Sequence, residues 1–144
     1  MKFIRFMVGA VLVTAIIDTS FLVALTNPKE KSHEICAQLA RTLSDRFLVP
    51  YVILPEATYL INKQQGHHIM LQFMQRMLQP AWNFEPLNPL DLVQASAILD
   101  RYYDMDLDFA DAAIVAIAER LNIQRVLTLD RRHFQVIRPT HCPA

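Results

Sequence analysis

Glycine is almost absent from this chain, with two residues in 144. Loops that cradle phosphates with bare backbone need several glycines at close spacing, so a P-loop and a dinucleotide-binding turn are both excluded. Cysteine is equally scarce. Cys36 and Cys142 lie far apart and form no C-x-x-C pair. Two isolated thiols suit a reducing cytoplasm better than a disulfide framework. Charge of one sign is missing too, because 14 basic residues are balanced by 14 acidic ones. No global basic field advertises a nucleic-acid binder, so any such binding must come from a local patch or from metal ions. Only 19% of residues are charged and 53% are hydrophobic, which argues against disorder and for an ample core. A chain of this length favours one domain.

A long membrane-spanning run is also lacking. Lys2 and Arg5 precede an apolar stretch from Phe6 to Ile17 that superficially resembles a signal peptide. It falls short of the ~20 residues a helix needs to cross a bilayer. It holds no A-x-A cleavage site and ends in Asp18-Thr19-Ser20. We read it as a buried strand behind a short extension, with residues 1–10 as the extension, 11–144 as the domain, and no membrane attachment. Met7 is an alternative start.

Val11–Ile17 is β-branched and apolar on both faces, the pattern of a central parallel strand. Ser20–Leu25 reads as a short helix stopped by Asn27-Pro28, and Glu30–Leu43 as a helix with Ile35, Leu39 and Leu43 on its apolar face. Phe47–Val49 is a strand. A helix starting between Val52 and Pro55 runs to about Gln64, followed by another over His68–Gln79. Trp82–Leu87 suggests a short strand. Asn88 caps a helix with Pro89 in its first turn and a stripe of Leu92, Ala95, Leu99, Tyr102 and Tyr103. A further helix starts near Asp108, and its body Ala112–Ala118 is apolar all round, hence buried. Arg125–Leu129 and Phe134–Ile137 complete the strands. Alternating strands and helices imply an α/β domain with a parallel sheet.

Of the 14 acidic residues, most fall on expected helix surfaces, among them Glu30, Glu34, Asp45, Asp91, Asp100 and Glu119. Asp18 and Asp130 instead follow apolar strands directly, and Glu56 sits in the first turns of the helix after the third strand. Parallel sheets gather their strand C-termini on one edge, so these three should converge there. Asp111 opens the most buried helix, with no nearby Lys or Arg in sequence to offset it. Clustered carboxylates repel one another, and a hard divalent cation, Mg²⁺ or Mn²⁺, relieves this with oxygen ligands. Such a site can activate water for phosphodiester displacement. Each acid also has a structural reading. Asp108 is a good N-cap for the helix that carries Asp111, which we favour over metal ligation. Asp111 and Glu56 suit helix dipoles, and Asp130 could cap the turn at Arg131-Arg132. Arg131 and Arg132 either grip a substrate phosphate or form a solvated turn. His67 and His68 read as exposed, and Met70, Met74 and Met77 as core or an interface.

Four blocks together resemble the PIN-domain family: Ile17-Asp18-Thr19-Ser20, Val52-Ile53-Leu54-Pro55-Glu56-Ala57, Asp108-Phe109-Ala110-Asp111-Ala112-Ala113-Ile114 and Thr128-Leu129-Asp130 through Phe134. They stand in the family's order across nearly the whole chain. The resemblance implies a three-layer α/β sandwich around a mostly parallel sheet, with Asp18, Glu56, Asp111 and Asp130 as an acidic quartet. Asp18 and Asp111 would be the main metal ligands, and Ser20 would supply a hydroxyl near the site. It also implies Mg²⁺- or Mn²⁺-dependent cleavage of RNA and usually a homodimer. Short single-domain members are mostly toxins of toxin–antitoxin pairs, held inactive by a cognate antitoxin. Pro50 departs from the small hydroxyl residue many members carry there, without removing an acid. The competing reading is a catalytically silent PIN module that binds RNA or protein. An aspartyl phosphatase is disfavoured because Ser20 stands where its second Asp is needed. A receiver domain lacks its paired acids and late Lys.

Overall fold

A computed structural model describes residues 6–8, 11–13, 15–43 and 46–129. Its centre is an all-parallel four-stranded sheet in the order β5-β4-β3-β6, with β3 spanning Ala15–Ile17, β4 Phe47–Pro50, β5 Asn83–Glu85 and β6 Val126–Leu127. Helices α1 (Thr19–Thr26), α2 (His33–Leu43), α3 (Leu54–Gln65), α4 (His67–Met77), α5 (Pro89–Arg101) and α6 (Phe109–Leu121) flank it. This is the expected α/β sandwich. The chain runs from β3 outward to β4 and β5, then returns to place β6 on the other side of β3. That reversal makes a crevice at the carboxyl ends of β3 and β6, where open parallel sheets bind ligands.

Why β3 lies at the centre is plain from its side chains. Ala15, Ile16 and Ile17 are all buried, and a strand covered on both faces has no use for alternating polarity. Phe47, Leu48 and Val49 repeat the pattern in β4. Helix α6 explains its own composition. Ile114, Ile117 and Ala118 join the core against the sheet, whereas Ala112, Val115 and Ala116 pack with Ala95 and Ile98 of α5. A helix pressed from two sides is apolar all round.

Several expectations need correction. Val11–Ile17 is not one strand. β2 (Val11–Val13) pairs antiparallel with β1 (Phe6–Val8) in a separate two-stranded sheet, and only Ala15–Ile17 enters the central one. The expected extension therefore contributes β1. A run apolar on both faces satisfies either sheet, so composition cannot say where its backbone bonds go. Helix α2 starts at His33, because Glu30 and His33 donate backbone bonds within the preceding turns. It buries Cys36, while Ile35 is 61% exposed. In α5 the buried positions are Asp91, Ala95 and Ile98, whereas Leu92 is exposed, and Tyr103 lies beyond the helix and is exposed too. Asp91 was expected on a surface. It is 2% exposed, takes part in a capping box with Asn88, and accepts two bonds from the Arg120 guanidinium at 2.9 and 3.0 Å. Arg120 also pairs with Glu85 at 2.8 Å, which ties α6 to α5 and β5. The expected strand Phe134–Ile137 lies outside the described residues.

Among the described residues no helix is long and apolar enough to cross a membrane. A groove of about 360 Å³ lies between α1, α2 and α4, lined by Leu25, Ala37, Phe73 and Met77 with Arg41 and Arg76.

Candidate active site

Asp18 is the residue where β3 becomes α1. Its N–H donates to the Leu127 carbonyl of β6 at 3.2 Å, so it stands on the crevice itself. Its backbone is extended, and its Oδ1 accepts from the Phe21 N–H at 3.2 Å, capping α1. The side chain is nearly buried, at 6% exposure. Burial pushes its carboxyl above the ordinary range, and bonds to the ionised form from Ser20, Thr128 and the Phe21 backbone pull it partly back. Among the described residues no cation pairs with it.

Ser20 connects this carboxylate to the neighbouring strand. Its hydroxyl donates to Asp18 Oδ1 at 2.6 Å and accepts the Leu129 N–H at 2.9 Å. Thr128 Oγ1 lies 3.4 Å from the same hydroxyl. Expected as a hydroxyl near the site, with substrate as a candidate partner, Ser20 is engaged with the protein's own groups. Glu56 is exposed in the first turn of α3, where Pro55 is tolerated, and its Oε2 accepts from Thr19 Oγ1 at 3.3 Å. The hydroxyl pair Thr19 and Ser20 therefore reaches both acids, Asp18 and Glu56.

Asp108 is the N-cap of α6, its Oδ1 accepting the Asp111 N–H at 2.8 Å. Asp111 is half-buried in the first turn of α6. Helix α6 ends at Leu121, Asn122 turns the chain in the left-handed region, and β6 begins at Val126. So short a link makes α6 antiparallel to β6, which sets its N-terminus on the edge where Asp18 lies. Asp130, Arg131 and Arg132 lie outside the described residues. Among the described residues no three His, Cys, Asp or Glu side chains gather closely enough to hold a metal.

Sequence reasoning missed Thr19 and Thr128 as partners of the acids. Thr128 stands two positions before Asp130, a spacing that shares one face in a strand, and that alternation was the available signal. The donors present are carboxylates and hydroxyls, hard oxygens suited to Mg²⁺ or Mn²⁺. A buried carboxylate with no cation beside it among the described residues is the feature a metal ion would relieve, so the residues fit such an ion in kind.

The family model described as PIN domain matches residues 15–138. The chain belongs to the PIN domain family. This PIN domain is 32% identical over 124 residues to ribonuclease VapC26 of Mycobacterium tuberculosis, covering 86% of this chain and 92% of that protein. Its fold is shared with VapC20 of the same organism, described as a Sarcin-Ricin loop cleaving toxin, at a TM-score of 0.77 and 23% identity, over 85% of this chain and 94% of that one. A toxin–antitoxin complex from Klebsiella pneumoniae also shares it, at a TM-score of 0.63 and 18% identity, over 86% and 92% of the two chains.

Proposed function

We propose that this PIN domain is a metal-dependent endoribonuclease and the toxin of a type II toxin–antitoxin pair. The observation that carries the reading is Asp18, a buried carboxylate at the crevice of a parallel sheet that has no cationic partner among the described residues. The 32% identity to a ribonuclease supports the choice of RNA as substrate.

In this reading Asp18, Glu56, Asp111 and Asp130 would hold Mg²⁺ or Mn²⁺, with Asp108 serving as the cap that presents Asp111. When bound, such an ion would supply an activated water and charge stabilisation at the scissile phosphate. Asp18 contributes a carboxylate whose rotamer is set by Ser20 and the Phe21 N–H. Ser20, through Leu129, links that carboxylate to the chain one residue before Asp130. Thr19 holds Glu56 in the same region. Arg131 and Arg132 grip the phosphate backbone. The toxin acts in the cytoplasm as a homodimer. Its partner is a cognate antitoxin protein.

The test is Asp111→Asn. The variant is expected to melt near the wild-type temperature while losing RNA cleavage by about 100-fold or more, the scale on which a metal lowers such barriers. It is also expected to abolish growth arrest on induction. Full cleavage by the folded variant would sink the reading. Toxicity that survives Asp18→Ala would favour the silent RNA- or protein-binding module instead.

A further inference from the structure

Two neighbouring hydroxyls stand at the start of α1, and they serve opposite flanks of Asp18. Successive helix residues point about 100° apart, and β3 has β6 on one side and β4 on the other. Ser20 turns to the β6 side, where its hydroxyl is engaged with Asp18 and with the Leu129 N–H. Thr19 turns to the β4 side, where the chain passes through Tyr51–Ile53 into α3. There its Oγ1 donates to Glu56 Oε2 at 3.3 Å. A hydroxyl has one proton to give, and Thr19 gives it to Glu56.

Glu56 needs such a partner. Its carboxylate is exposed in the first turn of α3, on a long side chain with much rotamer freedom to lose. Among the described residues no cation pairs with it, and Thr19 is the one side chain that bonds it. Left to itself the carboxylate would swing into solvent, away from the like charge of Asp18.

We propose that Thr19 is a positioning residue: its hydroxyl holds Glu56 toward Asp18, and the metal affinity of the site depends on that bond. The inference rests on the metal-dependent ribonuclease reading and deepens it. A partner that orients a ligating carboxylate typically sets roughly 10- to 100-fold in metal affinity. Ser20 cannot take over, since its one proton is already spent on Asp18. A bond that only fastened α1 to α3 would act on stability with or without metal, whereas a positioning bond acts on the metal.

The test titrates the purified full chain with Mn²⁺ alone, read by calorimetry, beside thermal melts in EDTA. Thr19→Val keeps the shape of the side chain and removes the donor. It is expected to weaken Mn²⁺ binding roughly 10-fold or more. In EDTA it is expected to melt within about 2 °C of the wild type, because the bond is exposed. Thr19→Ser returns the donor and is expected to bind Mn²⁺ like the wild type. In a Glu56→Gln background, Thr19→Val should weaken Mn²⁺ binding no further, because the group it positions has already lost its charge. Mn²⁺ binding by Thr19→Val equal to that of the wild type overturns the proposal. So does the same weakening with and without Glu56, and so does a larger loss of melting temperature in EDTA, which assigns the bond to fastening α1 to α3. Failure of the wild type to cut RNA in Mn²⁺ would strike the ribonuclease reading, whereas cutting together with Mn²⁺ binding indifferent to Thr19 strikes only the role given to Thr19.

Discussion

Asp18 carries an energetic cost that a solvated aspartate does not. Burial disfavours its charge more than its hydrogen bonds favour it, and its folded carboxyl titrates above the unfolded one. A raised acid pKa stabilises the fold below the ordinary carboxylate range, and that contribution is lost as pH rises through the folded value. At neutral pH without metal the ionised Asp18 therefore opposes folding. Asp18→Asn keeps an oxygen acceptor for Ser20 and Phe21 and removes the charge. In EDTA at neutral pH the variant is expected to melt about 3–6 °C higher, on the order of 1 kcal/mol. The gap should shrink as pH falls through the carboxylate range, and Mn²⁺ should raise the wild type alone. Thermal melts across pH check this, and a less stable variant in EDTA would contradict it. The position of Asp18 was legible because a charge directly after a wholly apolar strand is unusual. Its attachments to Thr128 and Leu129 were not, since residues more than a hundred positions apart meet only through strand pairing.

Helices α5 and α6 differ in how much of themselves they disclose. The run Ala112–Ala118 announces burial on every side, and all seven residues are buried. Helix α5 misleads, because Leu90, Leu92 and Val93 point outward while a charge, Asp91, points in. The reason is its partner. Arg120, one helix later, supplies two bonds to Asp91 and one to Glu85, so the buried carboxylate is satisfied rather than excluded. Removing one member leaves the other uncompensated. Arg120→Ala is expected to cost about 3 kcal/mol in urea unfolding, whereas the double change Asp91→Asn with Arg120→Met should cost well under the sum of the single changes. A loss below about 0.5 kcal/mol in the single variant would show that the pair contributes nothing of note. Cys36 is another inward-facing residue of its helix. Burial pushes its thiol up, with the negative charge of Asp18 adding to the effect.

At the scale of the molecule, one parallel sheet does the positioning. Its reversal at β3 places the end of that buried strand beside the end of the half-buried β6, and a short link turns the N-terminus of α6 to the same edge. Among the described residues the β1–β2 ribbon forms its own sheet, with no ladder to the central one. Two-stranded ribbons are marginal alone in water. Deleting residues 1–10 removes β1 without breaking a central ladder, so the shortened chain is expected to fold and to melt within about 2 °C of the full one. Circular dichroism melts of both test this, and an unfolded product would show that the ribbon completes the core.

The α/β class, the order of helices, the burial of α6 and the strand-end location of Asp18 were all determined by the sequence. These follow from local periodicity and from charges placed against it, which each segment carries by itself. Tertiary structure alone decided which sheet received Val11–Val13, which face of α5 turned inward, and what holds Asp18. Those outcomes depend on partners distant in the chain: β1 for the ribbon, Arg120 for Asp91, and Ser20 joined to Leu129 for the carboxylate at the crevice.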